Sequence, residues 1–102
     1  MSESAVKHDD VKHNQAEHRF EIPLGNELAM LVYELRGDDI ALVHTEVPKG
    51  DRGKGVAGKL TEAALLYAKS RHQLVIPECR FVTTYLKRHP EYRENVKPEY
   101  RK

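Results

Sequence analysis

Apolar and polar residues alternate from about position 17. Phe20, Ile22 and Leu24 share one side, with Arg19 and Glu21 opposite, the period of a half-buried strand. Pro23, Gly25 and Asn26 then supply turn residues. Positions 28–35 are apolar on both sides: Leu28, Met30 and Val32 on one, Ala29, Leu31, Tyr33 and Leu35 on the other. That suits a central strand. A turn over 36–39 follows, where Gly37 can take a positive φ. Positions 40–47 predict a third strand, with Ala41, Val43, Thr45 and Val47 on one side and Ile40, Leu42, His44 and Glu46 on the other. The period then lengthens. Val56, Leu60, Ala63, Ala64, Tyr67 and Ala68 recur at helical spacing and predict an amphipathic helix ending near Arg71 and His72. Leu74, Val75 and Ile76 make a short buried strand closed by Pro77. Phe81, Val82, Tyr85 and Leu86 make a shorter helix that Pro90 stops.

The order is strand, strand, strand, helix, strand, helix. The third strand, the helix and the fourth strand can form a right-handed crossover. The predicted class is therefore α+β (mixed α/β), an antiparallel meander joined to a βαβ unit. Residues 1–16 are polar and without sustained period, and are expected as a flexible lead-in to a domain over 17–92. Residues 93–102 are expected as a charged tail. The tail repeats Pro90-Glu91-Tyr92-Arg93 as Pro98-Glu99-Tyr100-Arg101, too little to define a repeat. Tyr92 is expected to pack on the domain and Tyr100 to stay outside it.

A chain of 102 residues suits one modest core. It is 39% hydrophobic and 32% charged, an ordinary composition with a polar surface. Its net charge of +1 argues neither for nucleic acid nor for a basic partner. Cys79 is the single cysteine and has no internal disulfide partner, which suits a reducing compartment. The first ten residues lack the apolar run of a secretory signal, and no stretch is long and apolar enough to span a membrane. The expectation is a cytoplasmic protein, not bound to membrane, monomeric or weakly homodimeric. His8, His13 and His18 match no common ligand spacing, so no metal is expected.

Between the third strand and the first helix lie Gly50, Gly53, Gly55 and Gly58, interleaved with Lys49, Arg52 and Lys54. A helix start leaves backbone N–H groups unpaired and carries partial positive charge. Glycines let a phosphate approach those donors. No Ser, Thr, Asp or Asn stands at 53–57 to cap them, which leaves an external anion as their partner. A glycine-rich turn without ligand is the plain alternative. The spacing is not a P-loop, since Gly58-Lys59-Leu60 lacks the hydroxyl, nor a dinucleotide fingerprint.

The run Arg52-Gly53-Lys54-Gly55-Val56-Ala57 fits Arg/Gln-x-x-Gly-x-Gly/Ala. It resembles the acetyl-CoA signature of Gcn5-related N-acetyltransferases (the GNAT superfamily). The flanks are similar to a small subfamily: His44-Thr45-Glu46-Val47-Pro48 before the loop, Pro77-Glu78-Cys79 after the fourth strand, and 85–92 at the end. The matches run in order from about Phe20 to Tyr92. The resemblance implies a twisted mixed sheet split by a cofactor cleft. Acetyl-CoA would run alongside the strand ending at Val47, its pyrophosphate meeting amides of Arg52, Gly53, Lys54, Gly55, Val56, Ala57 and Gly58. It implies an N-acetyltransferase acting on an amine, carried by a small molecule or a protein. One departure concerns the acceptor side. Full-size members have helices between their first strands, whereas only a turn separates Leu24 from Leu28 here. A CoA or acyl-CoA binding module without robust catalysis is the alternative this raises.

Amine acetylation needs a base for the amine proton and benefits from an acid at the leaving thiolate. Glu46 and His44, one strand face just before the loop, are the candidate bases. Cys79, at the apparent start of the second helix beside Arg80, is a candidate nucleophile or acid. A packing role is its alternative, and Tyr85 is a further possible acid.

Overall fold

The computed structural model describes residues 10–101. A five-stranded sheet in the order β1-β2-β3-β4-β5 is formed by β1 (Lys12–Asn14), β2 (Arg19–Leu24), β3 (Glu27–Arg36), β4 (Asp39–Glu46) and β5 (Val75–Pro77). The first four strands are antiparallel neighbours, and β5 is parallel to β4. Helix α1 (Val56–Ser70) makes the crossover, and α2 (Arg80–Arg88) follows β5. The α+β class, with its meander and βαβ unit, is the one the periodicity predicts.

The core lies between the sheet and α1. Phe20, Ile22, Ala29, Leu31 and Tyr33 close on Val56, Leu60, Ala64, Leu65 and Ala68, all buried. Burying a large apolar side chain of this kind contributes about 1.5–3 kcal/mol. Thr61 is buried among them, and its hydroxyl donates to the Ala57 carbonyl at 2.9 Å. Its polar group therefore goes underground satisfied.

The lead-in expected over 1–16 contributes a strand after all. Lys12–Asn14 pairs with β2, Lys12 opposite Glu21 and Asn14 opposite Arg19. Three polar residues show no alternation, because the anchor is a single side chain. The His13 ring stacks on Phe20 at 4.2 Å, meets Tyr67 edge-on at 4.5 Å and bonds Tyr33 Oη through Nε2 at 2.6 Å. Residues 1–9, His8 among them, lie outside the described residues.

Most of the tail expected over 93–102 is likewise part of the fold. It runs through 3-10 turns at Pro90–Asn95 and Pro98–Tyr100. Between them Val96 is buried and bridges Val75 in parallel, and the Lys97 N–H donates to the Val75 carbonyl at 2.9 Å. The Lys97 ammonium pairs with Asp39. The segment thus covers the outer edge of β5, which would otherwise present unpaired backbone groups. Tyr92 packs against the core, and Tyr100 remains 40% exposed.

The regular alternation expected along β4 is broken. Val32 stands opposite His44 but Tyr33 stands opposite Leu42, so Val43 is an extra residue in β4. Such a bulge shifts the side chains that follow it to the other face. Thr45 lies opposite buried Leu31, while His44 and Glu46 lie opposite Val32 and Met30. His44 and Glu46 therefore share a face, as expected, but not the face of Ile40 and Leu42.

Candidate functional site

β5 accompanies β4 only through Ile40, Ala41 and Leu42. Beyond Leu42, β4 continues alone on that side, and the chain after Pro77 turns into α2. The parted strands open a cleft of about 710 Å³.

The glycine loop forms one wall. Lys49–Asp51 is a 3-10 turn, and Gly53 and Gly55 then take φ of 84° and 79°. In that left-handed region an L side chain costs about 1–2 kcal/mol. A Cβ added at Gly53 or Gly55 would meet nothing within 4 Å, so backbone conformation rather than crowding demands glycine there. Gly55 precedes α1 without any side-chain capping bond, and no acidic residue stands in the first turn. Cys79 precedes α2 in the same manner, again with no capping bond and no acid in the first turn. Two helices thus bring uncapped, electropositive ends to one cleft. In the same wall, Arg52 Nε donates to the Val47 carbonyl at 3.4 Å, and the Lys54 ammonium stands 3.7 Å from Asp51. The Asp51 carboxylate opposes an anion here, and Lys54 offsets it.

Among the sequence-derived candidates, Val47, Arg52, Gly53, Gly55, Val56, Ala57 and Gly58 all line the cleft. Lys54 does not; it leans on Asp51. His44, Glu46 and Cys79 line it as well. His44 Nε2 lies 3.7 Å from Glu46 Oε1, with both side chains about 60% exposed, at 60% and 63%. Cys79 is half-buried against the core, and its Sγ lies 3.2 Å from Thr45 Oγ1. The bulge at Val43 makes that contact, by turning Thr45 to the face of Leu31. It also separates the candidates: Cys79 meets Thr45 on one side of the β4 end, and His44 and Glu46 stand on the other.

Tyr85 is not in the cleft wall. Its ring stacks on His89 at 4.0 Å, and a Cβ at Gly58 would lie 3.7 Å from it. Burial, followed by the neighbouring Tyr92, Glu62 and Glu91, pushes its hydroxyl up to about 12. It spaces α2 from α1 and holds its proton firmly.

Sequence reasoning assigned no site role to Thr45 or Phe81, both in the cleft wall together with Arg80, the charge expected beside Cys79. Phe81 looks like core by helical period, yet it is 40% exposed at the cleft. For Thr45 the signal is hidden by the bulge, and its partner lies 34 residues away. Among the described residues no group of three or more His, Cys, Asp or Glu could hold a metal ion, and no helix is long and apolar enough to cross a membrane.

A mixed sheet thus parts beside a glycine-rich helix start. Residues 19–96 match the family described as GCN5-related N-acetyl-transferase, and the chain belongs to that family. It is similar to Protein NATD1 of Gallus gallus and of Mus musculus, each 33% identical over 93 residues, covering 86% of this chain and 84% of the relative. Protein NATD1 of Homo sapiens is also 33% identical, with 82% of that relative covered.

Proposed function

We propose that the chain is an N-acetyltransferase that takes acetyl from acetyl-CoA and passes it directly to an amine. The observation that carries this is the convergence of two uncapped helix N-termini on the cleft where β4 and β5 part. That arrangement suits a phosphorylated ligand. Amides of Arg52, Gly53, Gly55, Val56, Ala57 and Gly58 would hold its pyrophosphate, with Arg52 and Lys54 supplying charge. Val47 would flank the pantetheine, which brings the thioester toward Thr45 and Cys79.

The placement of side chains on the two sides of β4 favours direct transfer. His44 or Glu46, on the open face, takes the proton of the incoming amine, directly or through water. The new N–C bond forms as the C–S bond breaks. Cys79, steadied by Thr45, gives its proton to the departing thiolate from the other side. An attack by Cys79 itself would need the base beside it, and His44 and Glu46 stand across the strand. A cytoplasmic, reducing setting keeps that thiol available. The acceptor is an amine on a small molecule or a protein, and the open face at His44 and Glu46 leaves it room.

The test is incubation with acetyl-CoA and a broad amine panel, measuring free CoA above the hydrolysis background. Turnover with at least one amine, lost on replacing both His44 and Glu46 by Gln, is expected. Tight CoA binding with no turnover on any amine would leave a CoA-binding module in its place.

A further inference from the structure

The cleft opens at one residue. β5 runs beside β4 as far as the pair Leu42 and Pro77. The Glu78 N–H then donates to the Leu42 carbonyl at 3.0 Å, and the next residue, Cys79, already precedes α2. Cys79 travels with that helix, since Thr83 donates both its N–H and its hydroxyl to the Cys79 carbonyl, at 3.0 and 3.3 Å. Glu78 is therefore the joint: before it the chain belongs to the sheet, and after it the chain leaves with α2.

The side chain of Glu78 is gripped from β3. Arg36 Nη1 donates to Glu78 Oε2 at 2.6 Å, and Arg36 Nη2 donates to Oε1 at 2.9 Å. Two parallel bonds of this kind fix the direction of a carboxylate as well as its distance. Arg36 is steadied in turn by its own strand, through Nη2 to Glu34 Oε1 at 2.7 Å. β4 lies between β3 and β5 in the sheet, so the fork spans it. Glu34 stands opposite Ala41, and its neighbour Tyr33 packs in the core with α1. Neighbours in a strand face opposite ways, so the cluster occupies the sheet face away from α1. Cys79 packs against the core and meets Thr45. The joint is thus held from behind while the thiol faces the other way.

Few other bonds place that thiol. A cysteine S–H is a weak donor and its sulfur a weak acceptor, and α2 begins with no side-chain capping bond. The Arg36 guanidinium holds the Glu78 carboxyl below its ordinary value, so the pair stays charged at neutral pH. Its two side chains are 40% and 37% exposed, and exposed pairs add little to global stability. What this one can do is local. We infer that Arg36 is a positioning residue: by forking onto Glu78 across β4, it sets where Cys79 stands against Thr45 at the cleft. Its consequence for acetyl transfer rests on the reading of Cys79 as the acid; its hold on the joint does not.

Two rates test the hold directly: hydrogen exchange at the Glu78 amide, and iodoacetamide alkylation of Cys79, the single cysteine. In Arg36→Gln or Glu78→Ala both should rise by up to about fivefold, the range for an exposed pair. The double variant should add nothing further, as coupled partners require. Glu34→Gln leaves the fork in place and should change each rate less. Arg36→Glu combined with Glu78→Arg should restore both. Exchange along α1 and the melting temperature should hold, which a general loosening would not allow. In turnover, kcat should fall by a similar factor with KM for acetyl-CoA unmoved. Unchanged exchange and alkylation in Arg36→Gln, or an equal rise along α1, would overturn the assignment. Faster alkylation with kcat unmoved would overturn its part in transfer and leave the N-acetyltransferase reading standing. If no amine is acetylated, that reading fails, and the two rates alone decide on Arg36.

Discussion

At the β1 end of the sheet, His13 sits between Phe20 and Tyr67, and its Nε2 bonds the Tyr33 hydroxyl inside the fold. At the β4–β5 end, two helices begin without a capping side chain, His44 and Glu46 stand mostly in solvent, and the strands part. The first end closes the core. The second leaves helix-start N–H groups and exposed charges facing an open cleft. Polar groups converging in a concave place are the mark of a candidate ligand site, and here they converge on the cleft where β4 and β5 part.

Breaking each end in turn should produce different losses. The largest effect is expected from His44→Gln combined with Glu46→Gln. Turnover should fall by about 10²–10⁴-fold, the range for a lost general base. Melting temperature and CoA affinity should hold, since both side chains are largely exposed. If activity survives the double change, the base lies elsewhere.

Next comes Phe20→Ala at the closed end. Removing a buried aromatic ring costs about 3–5 kcal/mol, and urea unfolding would show it. The folded fraction should still bind CoA as before. A matching loss of CoA affinity would mean that the two ends are coupled rather than separate.

Gly55→Val reverses that pattern. A β-branched side chain at a φ of 79° costs about 1–2 kcal/mol of stability. The greater loss should be in binding, where misplaced N–H donors to a charged group cost about 1.5–3 kcal/mol, near 10–100-fold in affinity. Equal stability loss with unchanged CoA affinity would remove the loop from the site.

The smallest effect concerns pH. Burial first, then the charges of Arg71 and His18, push the His13 imidazole below its ordinary value. The folded chain therefore binds that proton more weakly than the unfolded chain does. The contribution is whole above the ordinary value of about 6.5, and is lost as pH falls through the lowered folded value. Urea midpoints measured across that window should decline toward acid, and His13→Phe should flatten the decline. An unchanged profile would show that another group sets it.

The sequence makes part of this legible. Strand β2 and helix α1 show through their periods, because one apolar face in each answers to the buried core, and β3 shows through a run that is apolar on both sides. The glycine loop shows through its chemistry, although the conformations of Gly53 and Gly55 do not. Strand β1 stays hidden because His13 is anchored by Phe20, Tyr33 and Tyr67, all distant in sequence. The docked tail hides behind its charges, since Val96 is its one buried apolar residue and Lys97 docks through its backbone and a charge pair to Asp39. The bulge at Val43 is invisible to any two-residue period. With it goes the contact of Thr45 with Cys79, and with that the division of the candidate acid and base between two sides of a strand.

The central claim, that the glycine loop and the parted strands hold acetyl-CoA, is tested most directly by calorimetric titration of the chain and its Gly55→Val variant with acetyl-CoA. The expected result is saturable binding at one site that weakens as salt rises and falls by about 10–100-fold in the variant. No saturable heat with the unaltered chain, or equal affinity in the two, would contradict it.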